Sequence, residues 1–211
     1  MKERPILFSG EMIRALLAGT KTQTRRVCKS QPYSNGINFI GNDFLCHNDY
    51  LPPSAMLMDI RRGRVEYTTS DLEGWEVECP YGQPGDRLWV REAWAYGIHA
   101  LSAERDEDGP FVYAADGTTQ GRLCDRWRPS IHMPRAACRL VLEITDIRVE
   151  RLQDITFADA QAEGWPSTVD GNPNPYDPIT WFKLLWVELY GAGSWDANPY
   201  VWQISFKKVE A

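Results

Sequence analysis

The chain has 211 residues, of which 43% are hydrophobic and 25% charged, and its formal net charge is −6. This composition is typical of a globular protein and excludes a fibrous or wholly disordered chain. The acidic balance argues against a protein that coats nucleic acid through bulk electrostatics, and the length predicts a single domain over residues 1–211.

The charges are unevenly distributed along the chain. Residues 1–30 carry seven lysines and arginines against two glutamates, and residues 122–139 carry five arginines against one aspartate. If these two basic stretches meet in space, they form a positive face on an acidic body. The alternative is that both are ordinary solvated surface charge.

The five cysteines are irregularly spaced and include no Cys-x-x-Cys pair, so the sequence predicts no disulfide framework. Cys28, Cys46, His47 and Cys79 lack the paired spacing that zinc prefers, and we expect neither a metal nor another cofactor. The first residues are charged, and no apolar run approaches the ~20 residues that span a bilayer. We therefore expect a cytoplasmic protein with no membrane partner.

The predicted elements begin with a short strand at residues 5–8, followed by a helix that is capped by Ser9 and ended by Gly19. The apolar face of this helix is formed by Met12, Ile13, Leu16 and Leu17. Residues 29–82 show weak periodicity with several Pro, Asn and Gly turns, and they predict an insertion with little regular structure of its own.

A turn at residues 81–86 leads into a strand at 87–91. Leu88 and Val90 share one face of this strand, and Arg87, Trp89 and Arg91 share the other. A tryptophan between two arginines suits stacking on a base next to a phosphate, although an edge strand with arginines reaching into solvent has the same pattern. A short strand is also predicted at residues 111–114, between two polar loops.

The clearest strand begins at residue 138, and its alternation slips at Asp146 before it resumes, which predicts a bulge in one long curved strand. Thr156 and Asp159 form a capping-box pattern for a short helix that places Glu163 in its last turn. A further helix begins after Asp177, and alternating apolar residues at 200–206 predict a closing strand. We expect an α+β fold built on a small closed or partly open β-barrel with flanking short helices.

Residues 19–26 carry the most chemistry in the chain. The segment places an amine, several hydroxyls and two guanidinium groups directly after the first helix, and such groups are suited to bind an anion. The motif reads Gly19-x-Lys21-Thr22-x-Thr24-x-Arg26.

Together with Gly85-Asp86 before a strand and with the helical segment 159–164, this motif resembles the ASCH domain, a family of small β-barrels in the PUA-like superfamily. Members of that family bind RNA or modified nucleobases. The resemblance covers nearly the whole chain except the insertion at about 29–82. Residues 127–135, Trp-Arg-Pro-Ser-Ile-His-Met-Pro-Arg, look like the longer form that is common in bacteriophages and prophages.

One branch of the family consists of amidohydrolases that remove the acyl group from N4-acetylcytidine and related N4-acylcytosines. The resemblance implies that Lys21, Thr24 and Glu163 occupy the catalytic positions. Many other members carry glutamate where this chain has Thr24, so the hydroxyl favours the hydrolase branch. The chain departs from the compact enzymes of this branch by its insertion and by the segment 127–135.

Amide hydrolysis needs a nucleophile, a group that accepts its proton, and a proton donor for the leaving amine. Thr24 can attack if a neighbour deprotonates it, and Lys21 can accept the proton only if burial or nearby cations lower its pKa. Glu163 then either holds Lys21 or delivers a proton to N4. Residues three apart point to opposite faces of a strand, so Lys21 and Thr24 converge only at a turn or a bulge.

The alternative is a binding module for RNA or a modified base that makes phosphate and stacking contacts. The candidate residues for binding a nucleoside, a nucleotide or RNA are Thr22, Arg25, Arg26, Trp89, Arg91, Arg128, His132 and Arg135. A metal-dependent ribonuclease is a weaker third reading, because the acidic residues form no evident metal cluster in the sequence. The sequence leaves the oligomeric state open.

Overall fold

The structure is a computed structural model that describes residues 1–28, 79–97, 111–117, 124 and 126–209, together with the backbone of five strands within 36–78. Its α-helices are α1 (Gly10–Ala18), α2 (Phe157–Ala162) and α3 (Pro178–Tyr190), and single 3₁₀ turns lie at Ala114–Asp116, Ser130–His132, Arg135–Ala137 and Leu152–Asp154. Its strands are β1 (Glu3–Leu7), β2 (Gln23–Val27), β3 (Gly36–Ile40), β4 (Asp43–His47), β5 (Met56–Asp59), β6 (Arg64–Thr69), β7 (Leu72–Glu78), β8 (Arg87–Arg91), β9 (Trp94–Tyr96), β10 (Phe111–Tyr113), β11 (Val141–Arg151), β12 (Thr168–Val169), β13 (Asn172–Pro173) and β14 (Tyr200–Val209).

The central sheet has the strand order β1-β8-β11-β14-β2. β1 runs parallel to β8, whereas the other neighbouring pairs are antiparallel. The outermost strands β1 and β2 are joined in sequence by α1, and a side chain links them, because Arg26 Nη2 donates to the carbonyl of Leu7 at 2.6 Å. The fold is mixed α+β, as predicted. Closure of the sheet into a barrel stays a prediction.

β11 contains the predicted bulge. Its pairing with β14 shifts register between Ile144 and Asp146, and the apolar side chains Ile147 and Val149 then return to the core. The extra residue bends the strand, which lets β11 pair with β8 near its start and with β14 along its whole length.

The helix ends follow the signals in the sequence. The Ser9 hydroxyl accepts a hydrogen bond from the Met12 N–H, and Gly19 ends α1 with a φ of 76°. Thr156 and Asp159 form both hydrogen bonds of a capping box at the start of α2. The prediction that Leu17 belongs to the apolar face of α1 was wrong, because Leu17 is 39% exposed. Only Met12, Ile13 and Leu16 of this face are buried in the core.

The prediction that residues 29–82 have little regular structure was wrong for the strands within 36–78. β3, β4 and β5 form an antiparallel sheet, and β6 pairs with β7 as a hairpin. Antiparallel pairing satisfies the backbone N–H and C=O groups of a strand whatever its side chains are. These strands can therefore form without a clear apolar alternation in the sequence, which is why the sequence did not predict them. Along the chain, the segment lies between β2 and β8, two strands of the central sheet to which β3–β7 do not belong.

The segment 126–139 covers the outer side of β8 and β9. Arg128 pairs with Trp94 in an isolated bridge, and the main-chain oxygen of Met133 accepts hydrogen bonds from Arg91. Arg139 donates to both carboxylate oxygens of the buried Glu92, each at 2.9 Å. This bidentate pair fixes the end of the segment where β11 is about to begin.

Cys28 and Cys79 flank the insertion and belong to the same buried cluster as the core of the central sheet. Burial raises the pKa of Cys28 to about 12 and that of Cys79 to about 11. Both thiols therefore stay protonated in the folded protein at neutral pH.

We expect this burial to weaken the fold in alkali. In the unfolded chain the Cys79 thiol ionises near its ordinary value of 9.0, whereas the folded protein keeps the proton up to about pH 11, so stability falls between these values. Urea denaturation at several pH values measures the loss, and Cys79→Ala should reduce it, leaving the part that Cys28 contributes. A parallel decline in wild type and variant would contradict the assignment.

Among the described residues, no helix combines the length and the apolar character that crossing a membrane requires.

Candidate active site

The motif after α1 is held in place by main-chain hydrogen bonds on two sides. The Lys21 N–H donates to the carbonyl of Ala15 at 3.2 Å, and the Thr22 N–H donates to the carbonyl of Ala162 at 2.8 Å. Lys21 and Glu163 form an isolated antiparallel bridge. The end of α2 therefore lies against the chain just before β2 begins at Gln23.

Lys21 and Glu163 lie in direct contact at this point. The Lys21 Nζ is 2.8 Å from Oε2 of Glu163 and 2.8 Å from its main-chain oxygen, so the amine donates to both. Each residue is only 2% exposed. Two groups that are 142 positions apart in the sequence thus form a buried ion pair.

The second carboxylate oxygen of Glu163 contacts Arg25. Arg25 Nη1 is 3.2 Å from Oε1 of Glu163, and its Nε donates to Oε1 of Glu150 at 2.8 Å. Its Nη2 lies 2.6 Å from the same oxygen of Glu150, although the N–H bonds of Nη2 do not point at that oxygen. The same Nη2 lies 3.5 Å from Oδ2 of Asp159. Arg25 is therefore surrounded by three carboxylates.

Polar contacts extend this cluster along β2 and β14. The amide of Gln23 donates to Asp159, at 3.1 Å to Oδ1 and 3.2 Å to the main-chain oxygen. Gln203 of β14 donates in turn to Oε1 of Gln23 at 2.6 Å and to the Ser205 hydroxyl at 2.8 Å. The faces of β2 and β14 that pack against α2 are therefore lined by polar side chains.

The environment changes the proton affinity of these groups. Burial lowers the pKa of Lys21, because the ammonium loses its hydration; Glu163 opposes this shift, and the cations Arg26 and Arg25 add to it. Burial raises the pKa of Glu150, and the contact with Arg25 opposes that shift.

Asp159 behaves differently from Glu150. Burial acts to raise the pKa of Asp159, but its hydrogen bonds with Thr156 and Gln23 outweigh burial, so the pKa is lowered.

Thr24 is buried and pairs with Ile204 in β14. Gln23 and Arg25 point toward α2, so alternation turns Thr24 to the opposite face, which carries Ile204 and Phe8. Within the described residues, no hydrogen bond joins the Thr24 hydroxyl to Lys21 or Glu163. The Lys21 amine lies 5.6 Å from the centre of the Phe8 ring, so it occupies the strand edge between the two faces.

Arg26 and Thr22 lie next to this pair. The Arg26 guanidinium is 5.2 Å from the centre of the Phe8 ring and donates to Leu7, while the Thr22 side chain is exposed. Leu7 is the register partner of Arg91 in β8, so β1 separates the motif from the arginine of the neighbouring strand.

The remaining candidate residues lie on and around the outer face of β8. Arg91 is 4.8 Å from the centre of the half-buried Trp89 ring, and Arg128 is 5.3 Å from that of Tyr96. His132 is exposed in its 3₁₀ turn. Arg135 pairs with Glu3 of β1 at 3.1 Å, so the two basic stretches of the chain meet along β1.

The sequence did not reveal the roles of Glu150, Gln23 and Gln203. Each lies in a strand at a position where alternation turns it toward the helices, and Gln203 is buried although it is polar. A polar residue at 203 among the large apolar residues of the closing strand was the available signal, because a buried polar group needs partners.

A cleft of about 1070 Å³ borders the cluster on the helix side. It is lined by parts of α1, α2 and α3 and by the loop 164–169, and Glu163 lies in its wall. Gly164 lines the cleft and packs closely on Lys21, because a Cβ added to Gly164 would lie 3.0 Å from Cβ of Ala15 and 3.2 Å from Cβ of Lys21. Of the ion pair, Glu163 lines this cleft and Lys21 does not.

Gly164→Ala should destabilise the protein by more than about 1 kcal/mol, because Gly164 has a φ of 103° and no room for a methyl group. Gly171→Ala is a matched control, since Gly171 has a φ of 77° but no atom within 4 Å of the added carbon. Chemical denaturation of both variants separates crowding from backbone strain. Equal losses would show that the packing of Gly164 on Lys21 contributes nothing.

The described residues contain no group of three or more His, Cys, Asp or Glu side chains that could hold a metal ion. Of the cysteine and histidine residues considered as ligands in the sequence, the side chains of Cys46 and His47 in β4 lie outside the described residues.

Comparison of the chain with protein-family models, with curated proteins and with solved structures gave no match.

Proposed function

We propose that the protein is an amidohydrolase that removes N4-acyl groups from cytidine-type nucleosides or nucleotides. Its catalytic residues are Lys21, Thr24 and Glu163. The observation that carries the proposal is the buried Lys21 amine, which has a lowered pKa and lies 2.8 Å from a carboxylate oxygen of Glu163. The resemblance to ASCH-type hydrolases supplies the substrate class.

An amine can act as a base only in the fraction of molecules in which it is neutral. An ordinary lysine has a pKa near 10.4 and is almost wholly protonated at pH 7. Burial removes the water that stabilises the ammonium of Lys21, and Arg25 and Arg26 add repulsion. These effects make Lys21 better suited to accept a proton than any solvated lysine.

In the first half of the reaction, Thr24 Oγ forms a bond to the acyl carbon while its proton passes to the neutral amine of Lys21. The tetrahedral intermediate then breaks its C–N4 bond, and N4 takes the proton back from Lys21, leaving an ester on Thr24. In the second half, a water molecule gives a proton to Lys21 and attacks the ester. Thr24 leaves with that proton, and the acid is released.

The position of the amine supports this division of roles. Thr24 lies on the face of β2 that carries Phe8, and the Lys21 amine is near the Phe8 ring at the strand edge. Proton transfer from Thr24 requires the Lys21 side chain to turn from Glu163 toward that face. The resting amine donates two hydrogen bonds to Glu163, one to a carboxylate oxygen and one to its main-chain oxygen.

A binding module for RNA or a modified base is the second candidate. The stacking of Arg91 on the half-buried Trp89 favours it, because such a pair can hold a base and a phosphate. Against it, four of the candidate basic ligands already have protein partners: Arg25 has carboxylates, Arg26 has the Leu7 carbonyl, Arg91 has the Met133 carbonyl, and Arg135 has Glu3. The hydrolase is therefore the better supported function.

The test is to incubate purified protein with N4-acetylcytidine and to follow cytidine by chromatography between about 50 and 200 mM salt. We expect cytidine to form at a rate that hardly changes with salt, because the substrate is neutral. An RNA-binding protein would instead bind an RNA oligonucleotide with an affinity that falls steeply over this range. Failure to release cytidine from N4-acylcytidines of several chain lengths would overturn the proposal.

A further inference from the structure

Arg25 lies in the basic motif, but its environment is not that of a ligand-binding arginine. Its side chain is 0% exposed, and its guanidinium carbon lies 5.8 Å from the centre of the Phe182 ring in α3. An enclosed guanidinium that already contacts several carboxylates has no donor directed toward a phosphate in solvent. Its function must therefore be sought among its protein partners.

We propose that Arg25 is a positioning residue. By binding one oxygen of the Glu163 carboxylate, Arg25 leaves only the other oxygen to Lys21 and so controls whether the Lys21 amine is protonated. This inference rests on the proposed function. Arg25 takes Oε1 of Glu163 at 3.2 Å, which leaves Oε2 for the amine of Lys21 at 2.8 Å. Each oxygen of the carboxylate thus has its own cationic partner.

The position of Arg25 is fixed from outside the catalytic pair. Glu150, in β11, contacts its Nε and Nη2, and Asp159, in α2, lies on the same side. The Phe182 ring of α3 also faces the guanidinium, with 5.8 Å between its centre and the guanidinium carbon. Three different elements therefore hold the group that aims Glu163.

The charges around Lys21 show what removal of Arg25 would do. The cluster contains Asp159 from α2, Glu163 at the end of α2 and Glu150 from β11, which face Arg25 and Arg26 from β2. Without Arg25, both oxygens of Glu163 become available to the amine, and one repelling cation is lost. Both changes favour the ammonium form of Lys21 and leave less neutral amine near pH 7.

The kinetic test compares Arg25→Met and Arg25→Lys with wild type over a range of pH. If the ammonium of Lys21 becomes one pH unit more stable, about tenfold less neutral amine remains. We expect Arg25→Met to lower kcat about tenfold at pH 7 with KM nearly unchanged, and to regain activity as the pH rises. Arg25→Lys should restore part of the rate. Arg148→Met is the control, because Arg148 is exposed and pairs with Asp146.

A second readout does not depend on turnover. NMR of protein with labelled lysine, in which the Lys21 signal is assigned through Lys21→Met, follows the titration of the amine directly. Its midpoint should rise in Arg25→Met. Arg25→Met leaves Glu150 and Asp159 without their cation, which can destabilise the fold. Arg25→Met/Glu150→Gln is the folding control, because it also removes one of these negative charges. The midpoint of the Lys21 titration should rise in this double variant too.

The outcomes separate this inference from the proposed function. A pH profile and an amine titration that both stay at their wild-type positions in the Arg25 variants would overturn the positioning role, even if the wild type is an active hydrolase. A wild-type protein without hydrolase activity would overturn the proposed function, and the NMR titration would still decide whether Arg25 acts on Lys21 through Glu163.

Discussion

Lys21→Met is expected to lower kcat for the hydrolysis of N4-acetylcytidine by at least about 100-fold, within the range that a positioned acid–base group contributes. The substitution removes the amine but retains a long apolar side chain that can fill the same buried space beside Phe8. Initial rates of cytidine release measure the effect. The loss should be in kcat, because the amine acts on the reacting bond and not on the nucleoside.

The matched control for this variant is Lys183→Met, since Lys183 is exposed on α3. It should keep the wild-type rate within about twofold, as expected for a surface change. Circular dichroism and denaturation of both variants show whether they are folded. If a folded Lys21→Met protein hydrolyses N4-acetylcytidine as fast as wild type, Lys21 is not the base and the proposed mechanism is wrong.

Glu163→Ala is expected to destabilise the protein by about 3–5 kcal/mol, because it leaves the buried Lys21 and Arg25 without their shared carboxylate. Removing one partner of a buried pair is costly, since the remaining charge has lost its hydration and has no compensation. Urea denaturation gives the free energy of unfolding. Glu188→Ala, at an exposed position of α3, should change it by less than about 0.5 kcal/mol.

A double variant tests whether this loss comes from the ion pair. Lys21→Met/Glu163→Ala removes both charges of the pair and should recover a large part of the stability that Glu163→Ala loses. If the double variant is as unstable as the sum of the single changes, the two groups do not act on each other. Their contact would then have no energetic role in the fold.

Local signals in the sequence predicted much of the secondary structure. The hydroxyl and carboxylate caps at Ser9, Thr156 and Asp177 act within three residues of their partners, so they can be identified without knowledge of the fold. The bulge near Asp146 was also visible, because a slip in alternation has only a few structural explanations. The strands within 36–78 were not predicted, since pairing between short irregular segments leaves no comparable mark.

The candidate site was only partly predictable for a different reason. The pairing of Lys21 with Glu163 depends on how α2 docks on the edge of β2, and it was expected from the family resemblance alone. Nothing in the sequence distinguishes Arg25 from Arg26, yet alternation sends Arg25 toward buried carboxylates and Arg26 toward Phe8 and Leu7. Which partners each arginine meets is decided by the packing of distant elements.

The most direct measurement is a rapid-quench reaction of the wild-type protein with N4-acetylcytidine, followed by mass analysis of the peptide that contains Thr24. The mechanism predicts that cytidine is released before acetate, and that the quenched peptide carries the mass of one acetyl group. A reaction that yields neither cytidine nor an acylated peptide would contradict the proposal that Lys21, Thr24 and Glu163 form an amidohydrolase site.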